Sequence, residues 1–291
     1  MSHPYIYPNI FNRNIAIPER PPTIRPLFNE NRHVSDHGWL QSHASLSYAN
    51  TRSLNQTNFS SLCVVNEDIV APSSGFPNHS HGDFEIFTYV ISGYLTHRDS
   101  ISAGVDEHLT RGDVQFTTAG TGIRHSESNE HPNETLRFLQ IWVKPWSTGL
   151  RPRYHTRRFD DAAKRRGFVK IVSPLAAGPR ADTDAEALAQ PAVPGSIPIH
   201  ADFVMGAGLF VRGHGLSWTA GAGVAATTAR KVFLHVVMGE RVRVNIEVGT
   251  QILTLSGGDG AFVEGVAVGR DIRVTGVGEA EGEVVVLDMS E

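Results

Sequence analysis

Apolar and β-branched residues fall along this chain in short runs, separated by Gly, Pro, Asn and Asp. In the first half the clearest runs are 61–65, 85–91, 94–98, 113–118 and 136–143. Runs of this length and composition, bounded by turn formers, read as strands. Many short strands at close spacing predict a sandwich or a barrel. Residues 158–167, Arg-Phe-Asp-Asp-Ala-Ala-Lys-Arg-Arg-Gly, break the pattern. A capping Asp, two alanines, a basic last turn and a terminal Gly predict one short helix there, at the joint between two halves.

Residues 178–198 carry Pro179, Pro191, Pro194 and Pro198 among Ala and acidic residues, which predicts an exposed, flexible loop. Beyond residue 199 the β pattern returns at 232–237, 241–248, 251–255 and 283–288, with glycines at 239, 249, 257, 258 and 260. Before Thr23 the prolines come too often for a helix and no alternation develops, so an arm is expected. The expected organisation is an arm over 1–22, a first barrel over 23–150, a connecting segment over 151–198 and a second barrel over 199–291. The fold class is all-β, with the possibility of a duplicated barrel.

Length and charge narrow the function classes. At 291 residues two domains are the natural expectation. Lys plus Arg at 26 against Asp plus Glu at 30 gives a net charge of -4, which offers no long-range pull on nucleic acid or an anionic membrane. Arg151-Pro152-Arg153 and Lys164-Arg165-Arg166 are short basic patches of the kind that is usually solvated. Cys63 is the one cysteine; its apolar neighbours make it a small buried hydrophobe, and a reducing compartment suits it. The N-terminus shows no basic leader, and no run approaches the ~18 apolar residues of a membrane span. A cytoplasmic protein is expected, with the nucleus as a second location and a monomer as the assembly.

The candidate chemistry lies in two short pieces. His79 and His81 stand two apart, as do His125 and Glu127, and residues two apart on a strand share a face. If both pieces face one barrel interior, three imidazoles and a carboxylate converge. That set suits iron, nickel, copper, cobalt, manganese or zinc. A lone His-x-His is more often a surface coincidence or a hydrogen-bonded polar pair. Glu85 has the parity of His81 and competes for the carboxylate place.

His97 ends a strand beside charged residues, where a solvated or hydrogen-bonded role is expected. Phe116 and Trp142 suit core packing as well as a stacking surface. In the second half His200, His214 and His235 are scattered, and that barrel is expected to lack a metal. Gly206-Ala207-Gly208 and Gly221-Ala222-Gly223 read as turns rather than phosphate loops. There is no Gly-x-Ser-x-Gly, and Cys63 has no neighbouring base in sequence.

The frame around these residues is Gly75, His79, His81, Glu85 and Gly93, followed by Gly112, Asp113, Gly120, His125 and Asn129. It resembles the two signature motifs of the cupin superfamily, small jelly-roll barrels that hold a metal. Thr118 stands where the second motif usually has proline, and Gly120 lies further from the histidine than usual.

A longer match is similar to the pirin family. It comprises His37-Gly38-Trp39-Leu40, Val65-Asn66-Glu67-Asp68, Val70-Ala71-Pro72, Thr88-Tyr89-Val90, His97-Arg98-Asp99-Ser100, Gly112-Asp113-Val114-Gln115 and Thr118 through Glu127. The resemblance runs from about His37 to Trp142 and more loosely through Arg158-Phe159-Asp160-Asp161. It implies two jelly-roll cupin barrels in tandem, the first holding one metal, usually iron, through His79, His81, His125 and Glu127. Glu85 then drops to a supporting or surface role. Ser80 and Gly82 depart from the family's His-Pro-His and its following basic residue, which changes the charge at the mouth of the site without removing a ligand.

The implied activity is quercetin 2,3-dioxygenase. A flavonol binds through its enolate oxygen, electron density moves to O2, and the heterocyclic ring opens with release of carbon monoxide. Glu127 is the expected general base as well as a ligand. The rival implication is a redox-sensing module in which the metal switches a surface for a transcriptional protein partner. A third reading is a metal-stabilised barrel without turnover.

Overall fold

A computed structural model describes residues 21–46, 58–101, 105–180, 190–224 and 229–291. The expected arm, apart from residues 21 and 22, and residues 181–189 of the expected loop lie outside the described residues. The first strands are β1 (Thr23–Leu27), β2 (His33–Asp36), β3 (Leu40–Leu46), β4 (Leu62–Val70), β5 (Ser74–His81) and β6 (Glu85–Ser92). Then come β7 (Leu95–Asp99), β8 (Glu107–Leu109), β9 (Asp113–Thr118), β10 (Ile123–Asn129), β11 (Leu136–Val143) and β12 (Arg153–Arg158). Helix α1 (Asp161–Arg166) leads to β13 (Val169–Pro174), β14 (Ile197–Ile199), β15 (Phe203–Phe210), β16 (Gly215–Thr219) and β17 (Arg230–Val236). The chain finishes with β18 (Arg243–Val248), β19 (Gln251–Ser256), β20 (Gly260–Val266), β21 (Asp271–Gly276) and β22 (Gly282–Ser290).

Each half is a pair of sheets. The first has β12-β9-β6-β11-β4-β3-β2 facing β5-β10-β7-β8; the second has β1-β20-β17-β22-β15-β13-β14 facing β16-β21-β18-β19. The order β9-β6-β11-β4-β3 recurs as β20-β17-β22-β15-β13, and β5-β10-β7-β8 recurs as β16-β21-β18-β19. The fold is two jelly-roll barrels in tandem with one short helix at the joint.

Four strands fall outside the boundaries that the sequence suggests, three of them at sheet edges. β1 pairs with β20, from Thr23 opposite Glu264 to Leu27 opposite Gly260, so the start of the chain completes the second barrel. β13 and β14, inside the expected connector, belong to the second sheet as well, while β12 pairs with β9 in the first. Edge pairing uses backbone hydrogen bonds, which leave no mark in the side-chain pattern. In α1 the expected cap, Asp160, makes no side-chain bond to the helix. Lys164 is fully buried rather than solvated: its Nζ reaches Asp161 at 2.6 Å and Tyr89 Oη at 2.6 Å.

The two seven-stranded sheets pack face to face. Phe87, Tyr89, Leu139 and Ile141 from the first share one buried cluster with Phe203, Met205, Phe233 and Leu287 from the second. Burial of each such side chain contributes about 1.5–3 kcal/mol. The opposite faces point into the barrels, so these strands are buried on both sides. In the second barrel the strands that match β5 and β10 present Leu216, Trp218, Ile272 and Val274 to an apolar interior. The expected turn at Gly206 and Gly208 is instead the middle of β15, where a Cβ on Gly206 would lie 2.2 Å from the Trp218 ring. Glycine there answers a close approach, not a bend. No helix among the described residues is long and apolar enough to cross a membrane.

Candidate metal centre

β5 and β10 run antiparallel with His79 opposite His125 and Phe76 opposite Glu127. Three residue steps on β5 therefore match two on β10, a bulge at Pro77-Asn78 that re-aims the histidine end of the strand. The imidazoles of His79, His81 and His125 come together as a result. Their ring centroids lie 4.7, 4.5 and 4.9 Å apart, and one nitrogen from each falls within 4.8 Å of the others.

Hydrogen bonds on the outer nitrogens set the tautomers. His79 Nδ1 donates to the Pro77 carbonyl at 2.8 Å, leaving Nε2 as a lone pair. His125 Nδ1 lies 3.2 Å from His97 Nε2, and donation along that line leaves the His125 Nε2 lone pair facing His79 Nε2 at 3.1 Å. His81 Nε2 is buried with no hydrogen-bond partner among the described residues. Burial and the neighbouring rings push His81 down to about 4 and His125 to about 3, so both are neutral near pH 7. Opposed lone pairs and an orphaned buried nitrogen are unfavourable among themselves and suit a cation between them.

Glu127 is buried on the same strand and lines the same cavity, though it is not one of the three donors that converge within 4.8 Å. Its Oε1 accepts from Thr88 Oγ1 at 2.8 Å and from the Gln115 amide. Burial raises its carboxyl above the usual range.

Glu85 is not part of the cluster. The chain leaves β5 at Gly82, turns through Asp83 with φ 57°, and starts β6 in the facing sheet, so the parity with His81 does not carry across. Its carboxylate is buried and pairs with His200 Nδ1 at 2.7 Å. Phe116 belongs to the inter-barrel core, stacked on Phe87 at 5.5 Å. Trp142 stands at the site, edge-on to His81 at 4.9 Å. His97 is buried and hydrogen-bonded to His125; its position opposite Glu127 on β7 carries that signal, but only once the register is known.

A cavity of about 210 Å³ opens at the imidazoles. Val64, Asn66 and Asp68 of β4, Phe138, Gln140 and Trp142 of β11, and Phe76 line it together with His79, His81 and Glu127. Sequence reasoning assigned no role to Asn66 or Asp68, although both lie in the quoted Val65-Asn66-Glu67-Asp68 piece. Burial raises Asp68 to about 7, against a hydrogen bond from Ser42 and with added repulsion from Glu127.

Comparison with known proteins adds independent findings. The Pirin family model matches residues 27–143. Quercetin 2,3-dioxygenase of Escherichia coli K12 is 32% identical over 261 residues, covering 90% of this chain and 96% of the relative. A pirin-like protein of Caulobacter vibrioides is 42% identical over 139 residues, 48% of this chain and 59% of its own. The crystal structure of E. coli bacterial pirin YhhW in complex with nickel(II) superposes with a TM-score of 0.72 at 30% identity, covering 92% of this chain and 99% of that one. The likeness runs through both barrels and does not stop at the histidine strands, and on that ground the chain belongs to the pirin family.

Proposed function

We propose that the cavity is the active site of a metal-dependent dioxygenase of the quercetin 2,3-dioxygenase type, opening the heterocyclic ring of flavonol-like aromatics. His79, His81, His125 and Glu127 hold one divalent transition metal, with iron the first candidate and nickel, copper, cobalt, manganese or zinc the alternatives. The observation that carries this reading is the convergence of three imidazoles, two of them lining a cavity that a carboxylate also lines. A metal there would supply a Lewis-acid and redox centre with open positions for a substrate oxygen and O2. The relatives named quercetin 2,3-dioxygenase and the nickel(II) complex of the E. coli pirin support it.

The chain's own residues do the rest. Glu127 accepts the substrate hydroxyl proton; Thr88 and Gln115 hold Oε1, and Oε2 has no hydrogen-bond partner among the described residues. Phe76, Phe138 and Trp142 give flat apolar walls that exclude water and orient an aromatic ring. At about 210 Å³ the cavity is smaller than the ~300–1,000 Å³ of sites that enclose a drug-sized ligand, so the hydroxyketone end of a flavonol enters and the rest stays at the mouth. The second barrel holds no metal in this reading, because Leu216, Trp218, Ile272 and Val274 fill the matching interior. The cavity at the imidazoles favours an enzyme over a redox switch, which needs the ligands but no substrate space.

The test is the product. Metal-loaded protein given quercetin in air is expected to release one carbon monoxide for each quercetin consumed. Quercetin loss without carbon monoxide would overturn the ring-opening reading.

A further inference from the structure

β4 lies in the sheet that faces the imidazoles, and its alternation divides its side chains between two environments. Val65 and Glu67 turn into the joint between the barrels, where Glu67 meets His235 at 2.9 Å. Val64, Asn66 and Asp68 turn the other way, into the cavity shared with His79, His81 and Glu127. An acidic residue on the inner wall of a barrel is costly unless it is paired. Asp68 is 3% exposed, and among the described residues its carboxylate receives one hydrogen bond, from Ser42 Oγ to Oδ1 at 2.5 Å. Among the described residues nothing bonds to Oδ2. Asn66, two residues earlier on the same face, has a buried Oδ1 without a partner among the described residues.

Packing alone does not account for this pair. Ser42 sits directly opposite Asp68 on β3 and takes one oxygen, which would suffice to hold the two strands in register. Asp68 Oδ2 and the buried Asn66 Oδ1 belong to residues on the cavity wall, and both are acceptors that lack a donor among the described residues. Arg32 attracts Asp68 as a charge but gives it no hydrogen bond among the described residues, so the partners these acceptors lack are hydrogen-bond donors such as hydroxyl groups. Burial also keeps the Asp68 proton affinity high, up to about 7, so near neutrality it can meet either a hydroxyl or a carbonyl.

We propose that Asp68 is the specificity-determining residue of this cavity: its free carboxyl oxygen accepts a hydroxyl of a polyhydroxylated aromatic whose reacting oxygen lies at His79, His81 and His125. Asn66 takes a neighbouring hydroxyl of the same ligand. This rests on the flavonol reading of the site and deepens it, because it predicts which flavonols are preferred.

The test is anaerobic binding, where no turnover occurs, followed through the flavonol absorbance band. Iron-loaded native protein, Asp68→Asn and Asp68→Ala are each titrated with quercetin and with 3-hydroxyflavone, which keeps the hydroxyketone but lacks the other ring hydroxyls. Native protein is expected to bind quercetin at least about tenfold tighter than 3-hydroxyflavone. Both variants should keep native metal content and native affinity for 3-hydroxyflavone while losing most of that preference. If both variants keep the full preference for quercetin, the Asp68 role is wrong and the flavonol reading stands. If loaded native protein binds neither flavonol, the flavonol reading falls and the Asp68 role falls with it.

Discussion

Nδ1 of His125 and Nε2 of His97 lie 3.2 Å apart, so one buried imidazole decides whether the other turns a lone pair toward His79. His97 is itself fixed. Its Nδ1 lies 3.7 Å from Asp99 Oδ2, and its ring stacks on Tyr154 at 4.9 Å with 2° between the planes. The line Asp99, His97, His125 passes orientation from β7 to the site.

Replacing His97 with Ala is therefore expected to weaken metal retention by about 10–100-fold without removing a ligand. His97→Gln, which can still accept from His125, should recover part of the loss. Competition against a chelator measures this directly, and unchanged affinity in His97→Ala would contradict the positioning role.

Acid should destabilise the metal-free protein earlier than its carboxylates alone would. His81 at about 4 and His125 at about 3 stay neutral in the folded chain, and burial lowers His97 and His235 in the same direction. The unfolded chain takes up protons near ~6.5, so stability is full above that pH and is lost as pH falls toward 4. Asp68 at about 7 and Glu127, also raised, oppose this, since the folded chain binds their protons more tightly. Burial lowers His43 and His155 as well, so six imidazoles act against two carboxyls. The urea midpoint of chelator-treated protein is expected to be lower at pH 5 than at pH 7.5; an equal or higher midpoint at pH 5 would contradict this.

Glu67 should prove the most sensitive residue at the joint. It is fully buried, accepts from Arg137 at 2.6 Å and His235 at 2.9 Å, and lies 3.8 Å from the buried Arg32. Although burial raises it, the hydrogen bond from His235 and the charges of Arg32 and Arg137 bring it down to about 2. Glu67→Ala leaves the Arg32 guanidinium without its main counter-charge and is expected to cost about 3–5 kcal/mol, read from the denaturant midpoint. A loss below about 1 kcal/mol would show that the pair is dispensable.

The fold was legible wherever alternation met turn residues. Asp113–Thr118 and Leu136–Val143 form strands at the bounds read from sequence, and Glu85–Ser92 extends the predicted run by one residue. β15 was hidden because Gly206 and Gly208, which read as a turn, make room for Trp218, Leu216 and Phe168 instead. The pairing of β1 with β20 was hidden because partner choice at a sheet edge is a long-range property. In the site, two-residue spacing singled out His79, His81, His125 and Glu127, while the same parity rule misdirected Glu85 because it was carried across a turn into the other sheet. His97 and Asp68 needed register: one faces Glu127 from β7, and the other lines the cavity from the opposite sheet.

Oxygen uptake with quercetin tests the account most directly, using iron-loaded native protein beside Glu127→Ala and His81→Ala. The native protein is expected to consume oxygen, and both variants, folded but altered at the cavity, are expected to consume almost none. Full iron occupancy with no oxygen uptake by the native protein, or native rates in either variant, would contradict it.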